Sequence, residues 1–157
     1  MSEQSIEYLK TNFGINPDIF EELAILKIGN EVYIMNKDAI SFKQLKTCHR
    51  GIKLAQLFSH SIRLSTGAVQ LFGKFATKNT IQLNYAEAIM FAQGKEIIPR
   101  NKPIPNIDGL VIAQYKQFPI GIGNYKEGKL KSMITRSQVL RFGWRKRKTK
   151  YKGALPL

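Results

Sequence analysis

From Gly109 onward the apolar and polar positions fall into three short runs divided by turn chemistry. Gly109 to Tyr115 is apolar and β-rich, and Lys116-Gln117-Phe118-Pro119 breaks it. Ile120 to Tyr125 follows, interrupted by Gly121 and Gly123; Lys126-Glu127-Gly128-Lys129 is a polar turn, and Leu130 to Ile134 closes the series. Glycine inside a strand marks a bulge, a bend or a close backbone approach. Gly121 and Gly123 in so short a run therefore predict a small, strongly curved sheet such as a compact barrel.

Upstream the periods alternate. Ser2 to Phe13 has helical spacing at Ile6, Leu9, Lys10 and Phe13, with Gly14 suited to its C-terminal cap. Pro17 suits the first turn of a second short helix, with Asn16 as N-cap and Asp18, Glu21 and Glu22 near the positive end of its dipole. Leu23 to Ile28 and Glu31 to Met35 are strand-like, joined by the hairpin dipeptide Gly29-Asn30, and Asn36-Lys37-Asp38 leads into a helical turn through Phe42. The centre of Thr47 to Phe58 reads as a strand. Ser65-Thr66 can cap a helix carrying Val69, Leu71, Phe72 and Phe75, and Asn79 to Leu83 is a further strand. Asn84-Tyr85-Ala86-Glu87 is close to a capping box for a helix that sets Ala86, Ile89, Met90 and Gln93 on one side and stops at Gly94. Pro99 to Asn106, with Pro103 and Pro105 as well, is an irregular loop. Phe72, Phe75, Leu83 and Phe91 are expected in the core. The pattern is α+β, with an amino-terminal unit through about residue 76 and a second unit after it.

The 157 residues can form one domain or two small ones, and 43% hydrophobic with 23% charged residues is a globular composition. Charge changes the picture more. The net charge is +14, yet residues 1–38 hold seven acids against three bases, leaving +18 on the remainder. No acid follows Glu127, whereas ten Lys or Arg residues do. Such a field attracts a polyanion, either nucleic acid or an acidic membrane surface. No apolar run approaches ~18 residues, so no membrane span is expected. The first residues carry no secretory pattern, and a single cysteine fits a reducing compartment; the expected location is cytoplasmic.

The stretch Arg141 to Lys152 has seven bases in twelve residues, interleaved with Phe142, Trp144 and Tyr151. Bases neutralise phosphates, and aromatic faces stack on unpaired bases. The candidate nucleic-acid-contacting residues are Lys78, Lys116, Lys126, Lys129, Lys131, Arg136, Arg141, Trp144, Arg145, Lys146, Arg147 and Lys148, with Lys74 extending the same field. A localisation signal is a second reading of Arg145 to Lys148. Enzyme readings find no footing. Cys48 in Thr-Cys-His superficially resembles a methyltransferase nucleophile, but that chemistry needs a nucleotide-binding α/β domain of ~200 residues with a glycine-rich turn. Cys48 is instead expected to be a packed residue at a strand entrance. Cys48, His49 and His60 are too few and too scattered for a zinc site, no Ser-His-Asp grouping is suggested, and Gly121-Ile-Gly123 lacks the strand-then-helix setting of a dinucleotide loop. No cofactor or metal is expected.

The order of Thr80-Ile-Gln-Leu-Asn, an Ala-Glu-Ala helix, Gly94-Lys95, Asp108-Gly-Leu-Val-Ile and Ile120-Gly-Ile-Gly resembles a PUA domain, a small pseudo-barrel RNA-binding module. Upstream, Arg50-Gly-Ile-Lys-Leu-Ala and Arg63-Leu-Ser-Thr-Gly-Ala-Val-Gln-Leu-Phe-Gly are similar to the segment before PUA in two groups. One is the carboxy-terminal RNA-binding region of NOL1/NOP2/Sun-type RNA cytosine methyltransferases; the other is a set of stand-alone archaeal pre-PUA plus PUA proteins. Gly128-Lys-Leu-Lys-Ser-Met-Ile-Thr-Arg follows the family's closing pattern, with Thr135 where proline is usual. The resemblance implies a pre-PUA α+β domain over residues 1–76, a PUA pseudo-barrel over 77–142 and a basic, flexible tail over 143–157. It further implies a non-enzymatic protein binding structured rRNA or tRNA in ribosome biogenesis or RNA modification, with a pre-ribosomal particle or a separate modifying enzyme as partner. RNA contacts would lie in the groove bounded by Asn84–Gly94, Asp108–Leu110 and Gly121–Lys131. A subunit acting in trans with an RNA methyltransferase is the alternative. A third reading, a DNA-compacting or membrane-surface protein, uses charge alone. The acidic amino-terminal unit, which RNA would repel, is the expected protein-contact surface.

Overall fold

The structure is a computed structural model and describes residues 3–41, 51–105 and 108–139. Phe42, Cys48, His49, Arg50 and everything from residue 140 onward, including Arg141 and Trp144 to Lys148, lie outside the described residues.

Helix α1 (Glu3–Phe13) ends where Gly14 turns left-handed at φ +63, its N–H donating to Lys10 O at 2.9 Å. Asn16 caps a 3₁₀ turn over Pro17–Phe20 by accepting from Asp18 N. Four strands follow in an antiparallel sheet in chain order: β1 (Leu23–Ile28), β2 (Glu31–Asn36), β3 (Ile52–Leu57) and β4 (Ile62–Leu64). A second 3₁₀ turn, Lys37–Ser41, leaves β2 where a helical turn was expected. Helix α2 (Thr66–Phe72), capped by Ser65, packs on β3 and on the second sheet.

In the second sheet β5 (Thr80–Leu83), β7 (Gly109–Tyr115), β8 (Phe118–Lys126), β9 (Lys129–Ser132) and β6 (Glu96–Ile97) lie side by side in that order. Only the β5–β7 pair is parallel. Helix α3 (Tyr85–Ala92) joins β5 to the opposite edge and touches all five strands, so it plugs a sheet curled into a half-barrel. The curvature has the expected source. The β7–β8 register slips between Ala113 and Gln114, which leaves Ile120 as the extra residue of a bulge next to Gly121. A Cβ on Gly123 would come within 2.8 Å of Phe91 Cε2 and of Leu130 Cδ1, so only glycine lets strand, helix and β9 close to this distance.

Alternate residues of β7 serve two cores, as the two-residue period of a strand buried on both faces requires. Val111 and Ala113 face Phe91, Ile81, Leu83 and Leu130 inside the half-barrel. Ile112, together with Ile122 of β8, joins Leu9, Phe13, Val32, Leu54 and Val69 of the first unit. Gln114, also buried, donates from Nε2 to Gly73 O at 3.0 Å. The end of α1 is stitched to the connector as well: Thr77 N donates to Phe13 O at 2.9 Å and Asn79 Nδ2 to Asn12 O at 2.6 Å.

Four local expectations are corrected. The buried face of α3 is Glu87, Ala88, Phe91 and Ala92, while Ala86 and Met90 are exposed and Ile89 half-buried. The cause is the capping box itself. Glu87 Oε2 accepts from Asn84 N at 2.9 Å and Oε1 from Arg100 N at 2.9 Å, which fixes the rotation of the helix with this carboxylate inward. Phe75 is exposed, because the chain after α2 tightens into a 3₁₀ turn over Gly73–Phe75. Phe118 and Pro119 belong to β8, since left-handed Lys116 (φ 55) reverses the chain within two residues. The short strands β4 and β6 were not anticipated. Glu87→Ala removes both acceptors and is expected to lower stability by about 2 kcal/mol, and Glu87→Gln by less. Urea unfolding of the three proteins checks this; equal stability would mean water replaces the carboxylate.

On the first sheet, the Glu31 carboxylate accepts from Lys53 Nζ and from Tyr33 Oη. The Lys53 hydrogen bond, and secondarily that of Tyr33, holds it below the usual carboxylate range. A depressed folded-state value contributes stability that is present above the unfolded value and lost as pH falls through the folded one. The stability difference between wild type and Glu31→Gln should therefore shrink as pH drops below the carboxylate range. Urea midpoints from pH 7 to 3 test it, and a constant difference refutes the linkage.

Candidate nucleic-acid interface

The hairpin of β8 and β9 turns through Glu127 and Gly128, at φ 51 and 80, the two left-handed positions of a tight two-residue connection. That turn makes Lys126 and Lys129 direct cross-strand partners, and Lys131 lies opposite Asn124 two residues along the same face. These residues line a shallow cleft of about 240 Å³ with Glu96 and Glu127. Like charges facing each other across a sheet cost roughly 0.2–1 kcal/mol per pair. The cleft sets three ammonium groups against two carboxylates, Glu127 and Glu96, the latter the cross-strand partner of Lys131, and the net positive charge favours an anion at the Lys126–Lys129 end. Asp108 takes no part in neutralising them through a side-chain contact; its Oδ1 accepts from Glu127 N at 3.2 Å and holds the turn.

The other candidates are not gathered there. Lys78 is exposed in the connector two residues before β5, where its N–H donates to Phe13 O. Lys116 lies past the far end of β7, whose seven residues put it about 20 Å from the Lys126 end at ~3.3 Å per residue. Arg136 is exposed in the segment that follows β9. Arg141 and Trp144 to Lys148 lie outside the described residues.

Around Lys116 is a cluster that the sequence did not single out. Tyr85 is 66% exposed and Phe118 61% exposed. Tyr85 meets Tyr115 edge-on at 5.9 Å, and Lys116 Nζ stands 5.5 Å from the Tyr115 ring centre. Lys74 Nζ stands 4.9 Å from the ring of Phe75, on the 3₁₀ turn that Gln114 anchors to β7. Exposed rings beside lysines offer stacking faces with a counter-charge for phosphate. The signal was present in the aromatics of Tyr115 to Phe118. Hydrophobic patterning hides it by placing Phe118 in a turn and Phe75 in the core.

Comparison with known proteins addresses this same half of the chain. Residues 78–139 match the family model described as methyltransferase RsmF PUA domain. The half-barrel over those residues is the PUA-type pseudo-barrel that the sequence resemblance implied. Over 142 residues and 85% of its length, the chain is 27% identical to the ribosomal RNA small subunit methyltransferase F of Shewanella piezotolerans. It is 23% and 28% identical, over 88% of its length, to the proteins of that name from Aeromonas salmonicida and Aeromonas hydrophila. The chain spans only 27–28% of the length of these curated relatives. Among the described residues no group of three or more His, Cys, Asp or Glu side chains could hold a metal ion, and no helix is long and apolar enough to cross a membrane.

Proposed function

We propose that this chain is a non-enzymatic RNA-binding protein that recognises structured RNA, ribosomal RNA ahead of tRNA, in ribosome biogenesis or RNA modification. The observation that carries the reading is the cross-strand lysine pair of the β8–β9 hairpin, joined by Lys131, on a segment that matches a PUA-domain model. The likeness to ribosomal RNA methyltransferases supports rRNA as the ligand class. In this reading Lys78, Lys116, Lys126, Lys129, Lys131 and Arg136 contact phosphate, and Arg141, Trp144, Arg145, Lys146, Arg147 and Lys148 add charge and stacking from the end of the chain. Residues 1–76 form the pre-PUA unit, 77–142 the PUA unit and 143–157 the tail, and the protein works in the cytoplasm. Shape and backbone carry most of the recognition, as for A-form RNA in general.

A second reading, an RNA-binding subunit working in trans with a methyltransferase, is favoured by one specific observation: the likeness is to proteins named as ribosomal RNA methyltransferases. Co-purification with a catalytic partner separates the two. The first reading is tested by titrating the full chain with tRNA, an rRNA stem-loop and duplex DNA of matched phosphate number across a salt series. A structured RNA should keep its advantage as salt rises. If all three weaken along one slope, binding is counterion release alone and the RNA reading fails.

A further inference from the structure

A second cleft, of about 420 Å³, opens between the two halves of the molecule. One wall comes from β3 and β4, with Lys53, Gln56 and Arg63; the other comes from the segment after β9, with Met133, Thr135 and Gln138. Leu64 and Ile122, both about 5% exposed, form its floor. Clefts of roughly 300–1,000 Å³ with an apolar floor and a few polar groups, at the junction of two units, are the usual seats of small organic ligands.

The charges in it are not equivalent. Lys53 is held by Glu31. Arg63 is exposed and in contact with no carboxylate among the described residues; its guanidinium carbon lies 5.4 Å from the ring centre of Phe58, itself 44% exposed. A guanidinium resting on a ring keeps a fixed plane and presents its N–H groups outward, the geometry that grips phosphate. Thr135 is oriented by its hydroxyl, which donates to Gln138 Oε1 at 3.0 Å, leaving the Gln138 amide N–H groups to donate elsewhere. An apolar floor, an amide donor and a stacked guanidinium are what a base, its polar edge and its phosphate require.

We propose that this cleft seats one unpaired nucleotide of the bound RNA, with its phosphate on Arg63 and its base against Leu64 and Met133. The proposal rests on the RNA reading above and adds a site outside the PUA-matched lysine hairpin. It explains why a second unit accompanies the half-barrel: rigid attachment of the two forms the cleft.

The test uses the full chain and two stem-loops of equal phosphate number, one fully paired and one with a single-nucleotide bulge, each bulge base in turn. Wild type should prefer a bulged stem-loop by about ten-fold, the scale of one charge-assisted phosphate contact with its base. Arg63→Gln, an exposed substitution, should abolish the preference while leaving affinity for the paired stem unchanged. With [13C-methyl]methionine labelling, the Met133 resonance should shift on adding the bulged RNA and stay in place with the paired one. Equal binding of both stem-loops by wild type, or an unmoved Met133 signal, overturns the nucleotide seat while leaving RNA binding intact. Failure of wild type to prefer either RNA over duplex DNA overturns both.

Discussion

Phe91→Ala should lower the unfolding free energy by about 3–5 kcal/mol, the cost of emptying a large aromatic site in a core that cannot collapse around it. The ring is fully buried and stands where α3 meets β8. Collapse is blocked because the strand at this point is already glycine: Gly121 and Gly123 have no side chains that could swing into the space. The reciprocal change, Gly123→Ala, pushes a methyl to 2.8 Å from the ring edge and 3.0 Å from Lys131 O. It should cost about 1–3 kcal/mol, because a side chain can yield but the carbonyl of β9 cannot. A Phe91→Leu, Gly123→Ala double variant should recover part of the ring clash and none of the carbonyl clash. Urea unfolding measures all of these, and a loss below about 1 kcal/mol for Phe91→Ala would show that the half-barrel is not organised on that ring.

Replacing Lys126, Lys129 and Lys131 together by alanine should weaken structured-RNA binding about ten-fold or more near 0.1 M salt, and flatten the plot of log affinity against log salt by about 2 to 3. Stability should hold, since loss of the like-charge Lys126–Lys129 pair offsets loss of the opposite-charge Glu96–Lys131 pair. The combination is diagnostic. A site kept for phosphate loses affinity and salt dependence without losing fold, whereas lysines that serve only solubility change neither. Fluorescence anisotropy across the salt series, beside urea unfolding of the same variant, gives both quantities. An unchanged slope would move the binding surface elsewhere, first to the aromatic and lysine cluster around Tyr85, Tyr115 and Phe118.

Much of the fold was legible because its signals are local. Gly14, Asn16-Pro17, Gly29-Asn30, Ser65-Thr66, Asn84 with Glu87 and Glu127-Gly128 each state a cap or a turn in adjacent residues, and all stand where they were expected. Strands of two or three residues, β4 and β6, carry no period and exist only because a longer neighbour pairs with them. The orientation of α3 was illegible for a different reason. Its most telling inward residue is an acid, and hydrophobic patterning places a glutamate outside unless Arg100 N, thirteen residues on, is known to need it. The site divides likewise. Charge alone nominated Lys126, Lys129 and Lys131, but their juxtaposition is a property of pairing register. Arg63 and Phe58 lie on the edge of the other unit; the family resemblance includes Arg63 in its upstream segment but implies no contact there, and charge density is low around it.

The two-sided burial of β7 bears on how the half-barrel can be handled as a unit. Excised as residues 78–139, it would turn Ile112 and Ile122 outward to water and strip Gln114 of its carbonyl partner. Such a fragment carries an adhesive back, suited to clumping with its own copies. It is a module that travels with its mounting plate: a graft into another protein would have to bring α2 and the turn at Gly73, or supply an equally apolar shelf in their place.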